Sequence, residues 1–524
     1  MASTSYADVQ LDVETGASGD RPKPKRQLET GKPHPNTPFR ILVLGDFSGR
    51  ASRHIVDRGP RKAVAVDQDN FERVFQQLQV QLRLPLQDAP PLELTFREWD
   101  DFHPDRLFFK APLFAKLRQL REELDDPHRF REIARDLGLS EPAAKAQPAA
   151  EPDPPASRPG LGEVLGGSLL EQAMEATEAR LPNAPTRRGS SDPLQQYIEA
   201  LVKPYLVAKP DARRAQLLEQ LDNALRSAMC SLLHHPNFQQ LEANWRALDW
   251  MLRQLETGPR LKVFLVDISR EELEADLSSA EDLRQTAMYR LLVEQTVRTP
   301  GADPWAVIVA AFTFGPDMAD LNLLGRLGLL ARQAGAPVLS GGSPQLVGCE
   351  SFAKTPYPED WDASKQREGW DLIRSLPEAR YLGLVVPRFM ARRPYGKHSE
   401  STEAFEFEEI LLKPGEKPNH EHFLWANSAF LCACLLGQSF AEDGWNFDPN
   451  RLLEIRGLPY FVFSHQGEIV MTPPAEVTLT QTAMEKILDS GLMVLMSYVG
   501  GDQVRLAGFR SVAHGPAGLS GRWV

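Results

Sequence analysis

Residues 232–255 read LLHHPNFQQLEANWRALDWMLRQL, and this stretch decides how the chain folds. The pattern predicts that one helix ends at the paired histidines and that a second begins at Pro236, where the missing N–H group of proline costs nothing. Apolar side chains then recur every three or four residues, which puts them on one face of the second helix: Phe238, Leu241, Trp245, Leu248 and Leu252. Because such a face must be buried, Phe238, Leu241 and Trp245 are predicted to be core-packing residues.

The same stretch resembles a signature of the large subunit of the type VI secretion contractile sheath (the TssC/VipB family), which also carries paired histidines, a proline and a Trp-Arg pair. Three further stretches extend the resemblance: residues 260–277 (RLKVFLVDISREELEADL), 304–315 (PWAVIVAAFTFG) and 335–352 (GAPVLSGGSPQLVGCESF). In that family they belong to one α/β domain. The resemblance therefore implies an α/β fold.

Upstream, three blocks resemble the small sheath subunit (the TssB/VipA family), in the order in which that subunit has them. They are residues 38–50 (PFRILVLGDFSGR), 63–75 (AVAVDQDNFERVF) and 92–107 (LELTFREWDDFHPDRL). The chain thus looks like a small and a large subunit joined head to tail. The large-subunit family continues beyond the part matched here, so we expect a large-subunit segment without its C-terminal domain.

Two or three domains are expected, because 524 residues exceed the size of a single core. The sequence pattern divides the chain into four segments. Residues 1–37 are interpreted as a flexible arm and residues 38–137 as a compact small-subunit-like domain. Residues 138–192 begin as a Pro/Ala-rich linker, and residues 193–524 are interpreted as the large-subunit-like domain. The predicted fold class is α/β with some α+β mixing, in two sheath-like domains.

A strand pattern occurs in the N-terminal arm. Val9, Leu11 and Val13 alternate with polar residues, which is typical of a short strand. A lone strand needs a sheet edge to pair with. In the sheath family the N-terminal strand of the small subunit pairs with a neighbouring subunit, so the resemblance implies that these three residues form an exchanged, interface strand.

A second isolated apolar pattern lies at residues 161–180, within the linker. Leu165, Leu169 and Met174 fall on the apolar face of a possible amphipathic helix. Such segments often dock into grooves of a partner. The resemblance implies docking of an AAA+ disassembly unfoldase, whereas packing against the chain's own domain is the alternative.

Composition excludes several classes of protein. A net charge of -12 argues against broad nucleic-acid binding, which requires a basic face. No apolar run reaches the roughly 20 residues that span a bilayer, and the first residues lack the blocks of a signal peptide, which predicts a cytoplasmic protein without membrane insertion. The four cysteines are irregularly spaced, as is typical of buried reduced thiols.

No glycine-rich motif favours catalysis. Residues 45–49 (GDFSG) resemble a serine-nucleophile motif only superficially, and Asp46 is interpreted as a turn residue. Residues 341–348 (GGSPQLVG) lack the Gly-Lys-Ser end of a phosphate loop and are interpreted as a structural turn.

The histidine pairs are interpreted in the same way. His420 and His422 flank Glu421, but no third ligand has the spacing of a metal site, and Asn419 is expected to cap the helix that follows. His234 and His235 adjoin a proline at a helix junction, where local capping is favoured. We therefore expect no enzyme activity, no cofactor and no metal.

The function implied by the resemblance is mechanical. In the family, sheath subunits form an extended helix around an inner tube, and a change of subunit packing drives the tube outward. The implied partners are other sheath subunits, the inner tube protein, the baseplate and an AAA+ unfoldase. Two alternatives stay open: an accessory cap or regulator at a sheath end, and an α/β small-molecule-binding protein or enzyme with its site at residues 341–348.

Overall fold

The computed structural model describes residues 32–125 and 210–523, apart from residues 58, 87, 88, 280, 363, 365, 366, 414 and 499. We call the two stretches the N-terminal and the C-terminal segment. The patterns at residues 9–13 and 161–180, with Val9, Leu11, Val13, Leu165, Leu169 and Met174, lie outside the described residues.

The helices are α1 (Phe71–Gln77), α2 (Pro104–Lys110), α3 (Pro112–Asp125), α4 (Pro210–Leu233), α5 (Pro236–Gln254), α6 (Arg270–Ser278), α7 (Ala287–Tyr289, continued by a π-helical turn at Arg290–Glu294), α8 (Met318–Ala334), α9 (Arg367–Ser375), α10 (Ala429–Asp443) and α11 (Gln481–Asp489). The strands are β1 (Phe39–Gly45), β2 (Val64–Val66), β3 (Gln81–Leu86), β4 (Ala89–Thr95), β5 (Leu261–Asp267), β6 (Val307–Phe314), β7 (Val338–Gly342), β8 (Leu382–Val386), β9 (Phe389–Met390), β10 (Trp425–Ala426), β11 (Glu454–Ile455), β12 (Phe461–His465), β13 (Glu468–Thr472), β14 (Met493–Ser497) and β15 (Val504–Leu506). Short 3-10 turns lie at Trp99–Phe102, Leu283–Gln285, Pro344–Val347, Pro358–Asp360, Pro377–Tyr381, His420–His422 and Gly444–Asn446.

A nine-stranded mixed sheet organises the described residues, in the order β11-β15-β14-β8-β7-β6-β1-β5-β2. The strands from β14 to β5 in that order run parallel to one another. At one edge β15 pairs antiparallel with both β14 and β11, and at the other edge β2 pairs antiparallel with β5. Strand β1 pairs with β5 along its whole length and with β6 over Ile41–Leu44. The α/β fold class predicted from the sequence is confirmed.

Both segments contribute to this one sheet. Strand β1, from the N-terminal segment, lies between β5 and β6 of the C-terminal segment. All its side chains except Arg40 are buried, as expected for a central parallel strand. Residues 38–137 therefore do not hold β1 in a sheet of their own, and the physical reason is that β1 is apolar on both faces.

A separate hydrophobic core covers each face of the sheet. Ile41 and Val43 point into the first core, which contains residues from α1 to α5 and from α10. Leu42 and Leu44 point into the second core, where α6 to α9 and α11 all come from the C-terminal segment. No helix in the described part of the chain combines the length and apolar composition that a membrane crossing requires.

The cysteines are free thiols, as predicted. Cys432 and Cys434 are buried in α10, and burial raises the pKa of both thiols well above the ordinary value. Burial likewise raises the pKa of Cys230 to about 12. These thiols are therefore protonated, apolar fillers at neutral pH.

Candidate functional site

The apolar face of α5 packs against the N-terminal segment. Phe238, Leu241 and Trp245 are each at most 2% exposed. The Trp245 ring meets Phe47 and Phe71 edge-on, with centroids 5.2 and 5.4 Å away. Its indole Nε1 also donates a 2.8 Å hydrogen bond to the carbonyl of Phe47. The partner surface required by the α5 stripe is therefore supplied by the other segment of the same chain.

The turn that follows β1 is fixed by a carboxylate of the C-terminal segment. Asp267, the last residue of β5, accepts hydrogen bonds from the backbone N–H groups of Phe47 and Ser48 at 2.9 and 3.1 Å. The Ser48 hydroxyl donates to the same carboxylate at 2.7 Å. Burial raises the pKa of Asp267, and these hydrogen bonds oppose that rise by favouring the charged form.

Within the same turn, Asp46 acts as predicted. Its carboxylate accepts from the backbone N–H groups of Arg50 and Ala51, both at 2.8 Å. Gly49 has a φ of +75°, and a Cβ atom there would lie 1.9 Å from the carbonyl oxygen of Gln81. Only glycine fits this position, so backbone geometry explains Gly49 of the GDFSG motif without any catalytic role.

An ion cluster joins the segments beside this turn. Arg50 makes a forked pair with Glu272 of α6, at 2.6 and 2.7 Å. Arg61 donates to the same carboxylate at 2.9 Å. Although burial opposes ionisation, hydrogen bonds from Arg50 and from the backbone of Ser269 and Asp57 hold the pKa of Glu272 at about 2. Glu272 therefore stays charged and ties two loops of the N-terminal segment to α6.

A second ion cluster, also buried, lies beside α5. Arg392 donates to Glu242 at 2.8 Å and to Glu409 at 2.7 Å. Arg246 donates to Glu242 and to the hydroxyl of Tyr395, both at 2.7 Å. Two carboxylates thus balance two guanidinium groups. Burial raises the pKa of Glu409, but Arg392 outweighs this effect and holds the pKa at about 2.

Sequence reasoning missed the residues of both ion clusters. Glu272 was signalled only by Ser269 three residues before it, a capping box that the structure contains. The sequence did not indicate a buried role for Glu242, because this residue looks like an ordinary polar position on an amphipathic helix. Its partner Arg392 is 150 residues away, and no local pattern connects the two.

The hairpin β12–β13 exposes large apolar side chains. The turn between its strands lies at Gln466 and Gly467, which have φ values of +52° and +85°. The two strands pair with each other, and within the described part of the chain neither pairs with a third strand. On one face, Val462 and Ile469 are 48% and 83% exposed. Unpaired strand edges beside apolar side chains are suited to accept another strand.

The histidine motifs have local structural roles. The ring of His235 accepts from the N–H of Asn237 at the start of α5, as predicted. Asn419 caps the single 3-10 turn His420–His422 by accepting from Glu421. No group of three or more His, Cys, Asp or Glu side chains among the described residues has the geometry to hold a metal ion.

Two parts of the chain match known protein families. Residues 215–513 match the family model described as EvpB/VC_A0108, tail sheath N-terminal domain. Residues 26–130 match the model described as type VI secretion system, VipA, VC_A0107 or Hcp2. The type VI secretion system sheath protein TssC1 of Pseudomonas aeruginosa is 28% identical over 305 residues, which cover 56% of this chain and 60% of that protein. The chain thus matches less than two thirds of that relative's length.

Proposed function

Since the chain belongs to the EvpB/VC_A0108 tail sheath family, we propose that it is a structural subunit of a type VI secretion sheath that unites a small and a large subunit in one polypeptide. The observation that carries this proposal is the junction at Trp245. There, the stretch that resembles the large subunit packs on the stretch that resembles the small one, through Phe47 and Phe71. A single chain therefore supplies both parts of the building block.

The proposed activity is mechanical. The subunit surrounds an inner tube on a baseplate, and its contraction drives the tube outward. An AAA+ unfoldase then disassembles the contracted sheath through Leu165, Leu169 and Met174. A cytoplasmic location belongs to the same proposal. These partners follow from the family resemblance and not from any contact among the described residues.

The hairpin β12–β13 is the proposed assembly surface. Its unpaired edges offer backbone N–H and C=O groups to an incoming strand. The proposed donor is the strand at Val9, Leu11 and Val13 of a neighbouring copy, because its alternating apolar side chains match the alternating apolar face of the hairpin. Exchange of this strand would link subunits without altering the junction within each one.

Substitution of Ile469 by Asp tests this surface. Ile469 is 83% exposed, so the change leaves folding intact but puts a charge on the proposed strand-binding face. We expect assembly, measured by sedimentation velocity, to fall at least tenfold. Glu468→Gln, on the same strand, should assemble at the wild-type level. Assembly of Ile469→Asp at the wild-type level would contradict the proposed role of the hairpin.

A further inference from the structure

A loop at residues 419–423 links the assembly hairpin to the buried ion cluster of α5. We call it the histidine loop. Its two histidines face opposite ways: His420 faces the base of the hairpin, and His422 faces the junction of α4 and α5. The backbone of this loop is also held by α5, since Gln239 donates to the carbonyl of Glu421 at 3.2 Å.

On the hairpin side, His420 lies against a carboxylate. Its Nε2 atom is 3.1 Å from Oε1 of Glu476, which follows the hairpin in the chain. Arg388 binds the same carboxylate with a fork, at 2.6 and 3.0 Å. The Phe423 ring packs against Phe461 of β12, with centroids 5.6 Å apart. The histidine loop therefore contacts β12 through an aromatic pair, and it contacts the segment after β13 through the histidine–carboxylate pair.

On the core side, His422 stacks on another histidine. The rings of His422 and His234 are 4.3 Å apart and inclined by only 10°. His234 Nε2 lies 3.3 Å from a carboxylate oxygen of Glu409, a member of the buried ion cluster. Asn419 Nδ2 lies 3.2 Å from Nε2 of His422. Two stacked imidazoles tolerate one positive charge far better than two, because like charges at this distance repel.

The two histidines stand in opposite electrostatic surroundings. His420 faces Glu476, Glu421 and Arg388. His422 faces His234, Glu409 and Glu421, with Arg392 and Cys230 behind Glu409. Burial lowers the pKa of His420, but Glu421 and Glu476 outweigh it and raise that pKa above 6.5. Burial and His234 both lower the pKa of His422 below 6.5.

We propose that the histidine loop is a clamp that fixes the position of the hairpin, and that it holds best while His420 is charged and His422 is neutral. The clamp regulates the assembly surface, so its biological meaning rests on the proposed function. The stabilisation from a neutral His422 is present above the ordinary pKa of 6.5 and is lost as the pH falls below it. The stabilisation from a charged His420 is present below 6.5 and is lost as the pH rises through its raised pKa.

Hydrogen–deuterium exchange of the full-length chain tests the clamp. Exchange in β12 and β13, corrected for intrinsic rates and referred to the amides of β1, should rise severalfold between pH 7 and pH 5. His422→Gln and His234→Gln, which each remove one ring of the stack, should abolish that rise. His398→Gln, an exposed control in the neighbouring loop, should leave it unchanged. His420→Gln should speed hairpin exchange at pH 7 roughly tenfold, as expected on loss of a contact with a charged group.

The proposal is overturned if the wild-type hairpin shows no rise beyond that of β1, or if both stack variants keep the rise. Protection of β1 reports whether each variant is folded. If the His422 variant does not fold, the His234 variant provides the test. Exchange is measured on the unassembled chain. A failure of the clamp therefore appears in exchange, whereas a failure of the proposed function appears in a separate assembly assay.

Discussion

Replacement of Trp245 tests whether the two segments share one cooperative core. Trp245 touches Phe47 and Phe71 across the junction, and its Nε1 atom is a donor to the Phe47 carbonyl. Trp245→Phe keeps most of the ring contacts but removes the donor. Trp245→Ala removes both. The pair therefore separates the hydrogen bond from the packing.

The expected cost follows from burial. Truncation of a fully buried aromatic residue to alanine costs about 3 to 5 kcal/mol, and a buried carbonyl that loses its donor adds about 1 to 3 kcal/mol. We therefore expect about 5 kcal/mol for Trp245→Ala and about 2 kcal/mol for Trp245→Phe. The matched control is Trp250→Phe on the same helix. Trp250 is half-buried, and its indole N–H has no partner within the described residues, so the control should cost about 1 kcal/mol or less.

Urea unfolding, followed by far-UV circular dichroism, measures these differences. Hydrogen–deuterium exchange of the backbone amides then shows which strands lose protection. Because β1 and β5 are neighbours in one sheet, both should lose protection together in Trp245→Ala. Loss of protection in β1 alone, with β5 unchanged, would refute a shared core. A Trp245→Phe variant as stable as wild type would instead refute the contribution assigned to the hydrogen bond from Trp245 Nε1 to the Phe47 carbonyl.

The ion clusters give two further predictions. Glu272→Gln should lower the urea midpoint at pH 7, and the difference from wild type should shrink as the pH falls from 4.5 towards 2, because a carboxylate with a depressed pKa loses its stabilising effect as it is protonated. Glu271→Gln, at an exposed position, is the control, and a difference that stays constant with pH would contradict the role of the charge. Arg392→Lys should lower the free energy of unfolding by about 3 kcal/mol in the same assay, since lysine cannot bind Glu242 and Glu409 at once. Arg393→Lys, at an exposed position, should lower it little, and equal losses in the two variants would refute the prediction.

Local patterns in the sequence predicted the elements that depend on local physics. The apolar stripe of α5 and the turn at Asp46 were both predicted correctly. Each depends on periodicity, burial or turn chemistry within a few residues. The resemblance to sheath proteins also predicted the family, and the comparisons with known proteins confirm it.

Long-range pairing could not be predicted in the same way. An apolar strand such as β1 fits beside many other strands, and nothing within it specifies β5 and β6 as neighbours. Likewise, Glu242 and Arg392 each look like surface residues until the fold brings them together. The sequence therefore suggested two separate compact domains, whereas the described residues form one sheet with strands from both segments.

Electron microscopy of the purified full-length chain tests the central claim most directly. It should be done with the chain alone and after co-expression with separate small and large sheath subunits and a tube protein. The proposed function predicts hollow tubes of sheath dimensions from the chain alone, and tubes that incorporate it in the mixture. A folded chain that stays monomeric under both conditions and never enters a tube would contradict the claim, and binding only at tube ends would favour an accessory cap.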